Sequence, residues 1–168
     1  MSISRYFNKK TISISNQKNN LISLLVVILI FIFDRLSKIK IINFQTDNSK
    51  VYINEFINFD LTWNTGIGFG FLSSSSNLIY NSITTLIATV IIFLFYIIIN
   101  SKFIDKILFS LVLGGAIGNF YDRSTYYAVP DFIDIHYGNF HWFTFNIADI
   151  FITIGIVVVI FKDLLFKK

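Results

Sequence analysis

Asn77–Asn100 reads NLIYNSITTLIATVIIFLFYIIIN, a run without a charged residue and apolar all the way round a helix. A helix rising about 1.5 Å per residue crosses a hydrocarbon core of about 30 Å with a run of this length, so the bilayer is its natural solvent. Working outward, Ser101–Lys106 is a short polar turn in which Lys102 and Lys106 stand against Asp105. A third apolar helix is expected over Ile107–Asp122 and a fourth over Thr144–Phe161. Upstream, the run Leu21–Ile42 is interrupted by Asp34, Arg35, Lys38 and Lys40. No small-x-small cleavage site follows it, so it reads as a retained first transmembrane helix and not as a removed leader.

The whole composition agrees. Hydrophobic residues make up 54% of the 168 and charged residues only 14%, too apolar for a water-soluble domain of this size. The chain has no cysteine, which excludes disulfides, thiolate metal sites and cysteine nucleophiles. The net charge of +4 does not suggest nucleic acid. Arg5, Lys9, Lys10 and Lys18 precede the first run, and Lys162, Lys167 and Lys168 follow the last, as cytoplasmic flanks of membrane helices do.

The expected fold class is therefore an all-α membrane protein with four transmembrane helices. Residues 1–20 are expected as a flexible basic cytoplasmic tail, 21–163 as the membrane domain and 164–168 as a second basic tail. Segments 43–76 and 123–143 fall on the outer side. In the first of them, Val51–Ile53 and Phe59–Trp63 are β-prone, which predicts a small sheet at the membrane surface between helices 1 and 2.

Ionisable groups in such a chain need a reason to be there. Asp34 lies four residues before Lys38, on one helix face, and Asp122 is followed by Arg123; local ion pairs explain both. Asp131 and Asp149 have no Lys or Arg within several residues. Each stands near the outer face, and two carboxyls meeting there would share a proton and could position a water for hydrolysis. The simpler alternative is that Asp149 only caps its helix. Charge placement leaves the two readings level. Asp134 is close enough to be a third candidate, though a solvated loop carboxylate is the favoured reading. Asn146, three before Asp149, is expected on the same helix face, and Asn119 on one polar face with Asp122 and Arg123.

Weaker signals add little. Gly114 and Gly118 form a small-xxx-small packing pattern, which close helix approach explains completely. Gly66-Ile67-Gly68-Phe69-Gly70 lacks the Lys-Ser/Thr of a phosphate loop. His136 and His141 lack an evident third metal ligand and read as surface histidines. Ser37 beside Lys38 is no dyad, since neighbours on a helix do not face each other.

Five blocks in order resemble the lipoprotein signal peptidase (signal peptidase II) family across nearly the whole chain after the tail. They are Asp34-Arg35-Leu36-Ser37-Lys38, the stretch Asn64–Gly70, Gly114–Arg123 with Asn119-Phe120-Tyr121-Asp122-Arg123 at its end, Val129–Asp134, and Phe145-Asn146-Ile147-Ala148-Asp149. The resemblance implies an aspartic endopeptidase that removes signal peptides from bacterial prolipoproteins before the diacylglyceryl-modified cysteine. It implies Asp131 and Asp149 as the catalytic pair, and Asn64, Gly66, Asn119, Asp122, Arg123, Asn146, Asp34 and Lys38 as supporting or substrate-binding positions. It further implies a periplasmic β-cradle, no metal and no cofactor. Two residues depart from the family pattern: Pro130 replaces the usual aliphatic residue before the first aspartate, and Ile150 the usual serine after the second.

Expected partners are diacylglyceryl-modified prolipoproteins and membrane lipids, with no nucleic acid, and the working unit is expected to be a monomer. The expected location is the bacterial inner membrane, with both termini cytoplasmic and the site near the periplasmic face. The glycines of 66–70 suggest an outer segment that moves to admit substrate. The rival function is a small proton- or cation-conducting transporter subunit, and a structural scaffold is a third.

Overall fold

Without a proline or glycine before Phe44, nothing interrupts a helix started near the N-terminus. In the computed structural model, which describes residues 3–44, 50–66 and 77–166, α1 accordingly runs unbroken from Ile3 to Phe44. The stretch expected as a flexible tail is thus helical from Ile3. Helices α2 (Asn77–Asn100) and α3 (Phe103–Tyr126) follow, and α4 (Ile147–Phe166) ends the chain. Gly68, Gly70 and the serine run Ser73–Ser76 lie outside the described residues.

Among the described residues, α2 and α3 are each long and apolar enough to cross a membrane. Large apolar side chains point outward, Leu29 and Phe33 on α1, Ile92 and Phe93 on α2, Leu164 on α4, all more than half exposed. That is the inverse of a water-facing surface and fits a hydrocarbon surround. Helix α3 is central and packs against the other three. Its glycines permit this: a Cβ on Gly115 would stand 2.5 Å from the Ala148 carbonyl oxygen of α4, and one on Gly118 would stand 2.4 Å from Asp34 Oδ2 of α1. Val27, Leu94, Ile98, Val112 and Leu113 form the apolar centre where α1, α2 and α3 meet.

The sheet is larger than expected, and it corrects the reading that placed it between helices 1 and 2 alone. It has four antiparallel strands in the order β1 (Val51–Tyr52), β2 (Ile57–Asn64), β3 (Val129–Tyr137) and β4 (Phe140–Phe145). The second outer segment contributes half of it. Gly138-Asn139 is a two-residue turn between β3 and β4, with Gly138 at φ +57, where glycine is favoured. Because β4 runs to Phe145, α4 starts at Ile147 and not at Thr144. Pro130 pairs with Trp63 of β2, whereas the β4 pairing begins only at Ile133. At that register, among the described residues, β3 has a strand neighbour on one side only, a setting that tolerates proline.

Candidate active site

The end of β3, the start of α4 and the outer turns of α1 and α3 converge on a buried polar layer. Asp131 reaches it from β3, opposite Thr62 of β2, and Asp149 from the first turn of α4; they are 2% and 8% exposed. Asn146 joins them. Its Nδ2 donates to Asp131 Oδ1 at 2.6 Å, its Oδ1 accepts from the Asp149 backbone N–H at 3.1 Å, and its own N–H donates to Asp149 Oδ2 at 3.2 Å. The last two bonds form a reciprocal cap on α4. Asn146 is therefore the residue before the helix, not a member of its face as expected. Asp149 both caps α4 and is joined to Asp131 through one residue, Asn146, so the capping and catalytic readings are compatible.

Two further asparagines complete the set. Asn64 Nδ2 donates to Asp131 Oδ2 at 2.8 Å while its Oδ1 accepts from the Gly66 N–H at 2.8 Å. Asn119 Nδ2 donates to Asp149 Oδ1 at 2.9 Å. Each of the four carboxyl oxygens thus receives a hydrogen bond, and no Lys or Arg forms a salt bridge with either aspartate among the described residues. Burial, and then the charge of Asp149, pushes the Asp131 carboxyl from 3.8 up to about 7, while the hydrogen bonds from Asn64 and Asn146 act in the opposite direction.

Beneath the pair lies an ionic cluster. Lys38 Nζ contacts Asp34 Oδ2 and Asp122 Oδ2, each at 2.7 Å, and donates to Asn119 Oδ1 at 2.8 Å. Arg35 holds the other oxygen of Asp122 and lies 4.8 Å from the centre of the Tyr121 ring. The Asp34–Lys38 pair is the one expected from spacing. The expected Asp122–Arg123 pair is not formed, because adjacent helical side chains diverge; Asp122 turns to α1 instead. Two acids and two bases leave the cluster neutral, and removing one member of such a buried set typically costs about 3–5 kcal/mol.

Arg123 donates to the Gly66 carbonyl, and Tyr80 Oη of α2 donates to the Arg123 carbonyl at 2.7 Å. Arg123 Nε and Nη1 are buried without a hydrogen-bond partner among the described residues. Arg123 also lines an apolar cavity of about 340 Å³ between α2, α3 and α4, together with Asn119, Asp149, Leu86 and Ile152. A second apolar cavity, about 280 Å³, lies on the other side of Asp149 against Phe143, Phe145 and Ile150.

A family model described as Signal peptidase (SPase) II matches residues 26–165. The chain belongs to the signal peptidase II family. Among its relatives, the lipoprotein signal peptidase of Pelagibacter ubique (strain HTCC1062) is 47% identical over 155 residues, covering 91% of this chain and 93% of that one. The lipoprotein signal peptidase of Francisella tularensis subsp. novicida (strain U112) is 45% identical over 124 residues, 70% of this chain and 76% of its own. A bacterial membrane enzyme solved by the in meso method at 2.3 Å resolution superposes with a TM-score of 0.71 at 31% identity, covering 87% of this chain and 91% of that one. The activity is removal of signal peptides from prolipoproteins in the membrane, and nothing in these likenesses favours a transporter.

Every position carried over from the signal peptidase II blocks falls in or beside the polar layer: Asn64, Gly66, Asn119, Asp122, Arg123, Asn146, Asp34 and Lys38. The reading of individual side chains fared less evenly. Asp134 is 2% exposed on β3 and bound to His141 at 2.7 Å, so it is not a solvated loop group. The His136 side chain is 9% exposed and stacks on His141. Ser37 donates to the Asp34 carbonyl, a local backbone bond. Arg35 and Tyr80 are not singled out by the sequence: the rings beside Arg35, Tyr121 and Tyr126, lie more than eighty positions away.

Proposed function

We propose that the chain is an aspartic endopeptidase in which Asp131 and Asp149 activate a water and cut the prolipoprotein just before its diacylglyceryl-modified cysteine. The observation that carries the reading is the Asn146 bridge: its side-chain amide donates to the Asp131 carboxyl and its backbone N–H to the Asp149 carboxyl, in a buried layer where, among the described residues, neither aspartate has a salt-bridged cation. Such a pair at neutral pH holds one proton between two carboxyls. The ionised member takes a proton from water as the oxygen attacks the scissile carbonyl carbon, and the protonated member gives its proton to the carbonyl oxygen. As the tetrahedral centre collapses, one of its hydroxyls returns a proton to the aspartate that gave it, the C–N bond breaks, and the cysteine nitrogen leaves with the proton taken from water. Burial of acyl chain in the apolar cavities beside Asp149 would add about 0.8 kcal/mol per CH₂.

The same reading has α1 and α4 spanning the bilayer with α2 and α3. Each carries charges, Asp34, Arg35 and Lys38 on α1 and Asp149, Lys162 and Asp163 on α4. Asp34, Arg35 and Lys38 are paired inside the bundle, Asp149 is held by Asn119 and Asn146, and Lys162 pairs with Asp105 of α3. Four crossings put both termini on the cytoplasmic side and the sheet outside, in a protein that works as a monomer. Incubating the purified protein with diacylglyceryl prolipoprotein tests the mechanism: wild type cleaves, and folded Asp131→Asn and Asp149→Asn do not. Full activity in either variant overturns it.

A further inference from the structure

The four carboxyl oxygens of the pair are equal in hydrogen-bond number but not in what stands behind each donor. An ammonium group has three donors and no acceptor, so Lys38 Nζ compels Asn119 to present Oδ1 to it, at 2.8 Å. The Asn119 NH₂ is thereby turned toward Asp149 Oδ1, at 2.9 Å. The other Asp149 oxygen faces a backbone N–H, that of Asn146, and the carboxyl sits in the first turn of α4, where the helix dipole favours negative charge. Asp131 differs. Its two donors are the neutral amides of Asn64 and Asn146, oriented in turn by the N–H groups of Gly66 and Asp149. No ammonium stands at the far end of either amide, and Asp131 lies on a strand.

We propose that Lys38 is a positioning residue that, through Asn119, assigns the two aspartates their roles: Asp149 is the ionised base and Asp131 the member that carries the shared proton. This rests on the dyad proposed above. A cation at the far end of a hydrogen-bond chain polarises the amide between, and in a buried layer that strengthens the bond to the charged carboxylate. The charged groups around Asp149 are Lys38 and Asp34 of α1, Asp122 and Arg123 of α3, and Asp131 of β3. Arg123 is coupled to both aspartates, so it does not distinguish them. Asp34 and Asp122 are neutralised by Lys38 and Arg35. The charge of Lys38 likewise acts on both aspartates, but its hydrogen-bond chain through Asn119 ends on Asp149 Oδ1 and not on Asp131.

The test is the pH profile of kcat/KM for cleavage of a diacylglyceryl prolipoprotein in detergent. Its acid limb reports the base and its alkaline limb the acid. In Lys38→Met the acid limb should move up by about one pH unit, a tenfold loss on that side, and clearly further than the alkaline limb; Lys38→Arg should bring it part of the way back. Asn119→Leu should move the same limb while leaving Asp34 and Asp122 with their cations, so it carries the test if Lys38→Met does not fold. Asn64→Leu should move only the alkaline limb, upward. Lower turnover with both limbs unmoved in the Lys38 and Asn119 variants would show a structural role alone and overturn the assignment. Movement of the alkaline limb instead would reverse the roles and overturn it equally. Activity retained in Asp131→Asn would remove the dyad itself, a separate outcome.

Discussion

Replacing Asn146 separates two functions that the structure assigns to one side chain. Its Oδ1 caps α4 by accepting from the Asp149 N–H, and its Nδ2 donates to Asp131 Oδ1. Loss of an N-cap costs about 1 kcal/mol, and loss of a hydrogen bond to a buried ionisable group about 1.5–3 kcal/mol. Asn146→Ala should lose both, about 3 kcal/mol in all, which for a chain of this size lowers the melting temperature by about 6–12 °C. Asn146→Ser keeps a capping oxygen but cannot reach Asp131, so it should regain about 1 kcal/mol of the stability. Turnover should fall equally in both, by about 10–100-fold, because the donor to Asp131 is gone from each. Thermal unfolding and prolipoprotein cleavage, measured in one detergent, read the two effects independently. Wild-type turnover in the serine variant, or identical melting of the alanine and serine variants, would refute the division of labour.

Titration of Asp131 should be visible in stability. Its folded value of about 7 lies above the 3.8 of the free group, so its contribution is fully present below about pH 4 and is lost as pH rises through 7. The gap corresponds to about 4 kcal/mol at most, and Asp131→Asn should flatten that part of a stability–pH curve. Gly118→Ala places a Cβ against Asp34 Oδ2, which Lys38 holds in place, and should cost at least the 1–3 kcal/mol of ordinary overpacking, about that range or more, in thermal unfolding, with turnover falling too. Arg35→Lys keeps a charge for Asp122 but loses the planar stack on Tyr121, and should destabilise by about 1 kcal/mol with cleavage preserved. Chelators such as EDTA should leave turnover unchanged, since the proposed chemistry uses carboxyls and water alone.

The helices were legible because a long apolar run has few other fates. The error at the start of α4 had a local cause: Thr144 and Phe145 are uncharged and continue into the apolar run of α4, and only the pairing of Phe145 with Ile133 and Thr144 with Asp134 decides for the strand. The second half of the sheet had a readable signal that the sequence reading passed over, Gly138-Asn139 between two aromatic, β-branched runs. Asp131 and Asp149 stood out by lacking nearby cations. What that reasoning could not supply is which distant group answers which. Asp122 has Arg123 beside it in sequence, yet its partners are Lys38 and Arg35, more than eighty positions away. Periodicity shows that a side chain faces inward; the identity of the helix it meets is a property of the packed bundle.

That bundle also explains why so many polar groups cluster under two acids. A carboxyl that is to hold a proton near neutral pH must be buried, and a buried carboxyl needs donors that stay in place. Three asparagines provide them, each with its carbonyl fixed by an obligate donor: Lys38 for Asn119, the Gly66 N–H for Asn64 and the Asp149 N–H for Asn146. None of these amides can flip without setting two donors or two acceptors face to face. The ionic cluster of α1 and α3 holds Lys38 at its post, and Gly118 allows α1 close enough for Asp34 to accept from the Ala148 N–H at 3.0 Å. The position of α4, and with it Asp149, is therefore set from α1 through charges that never touch the reacting bond.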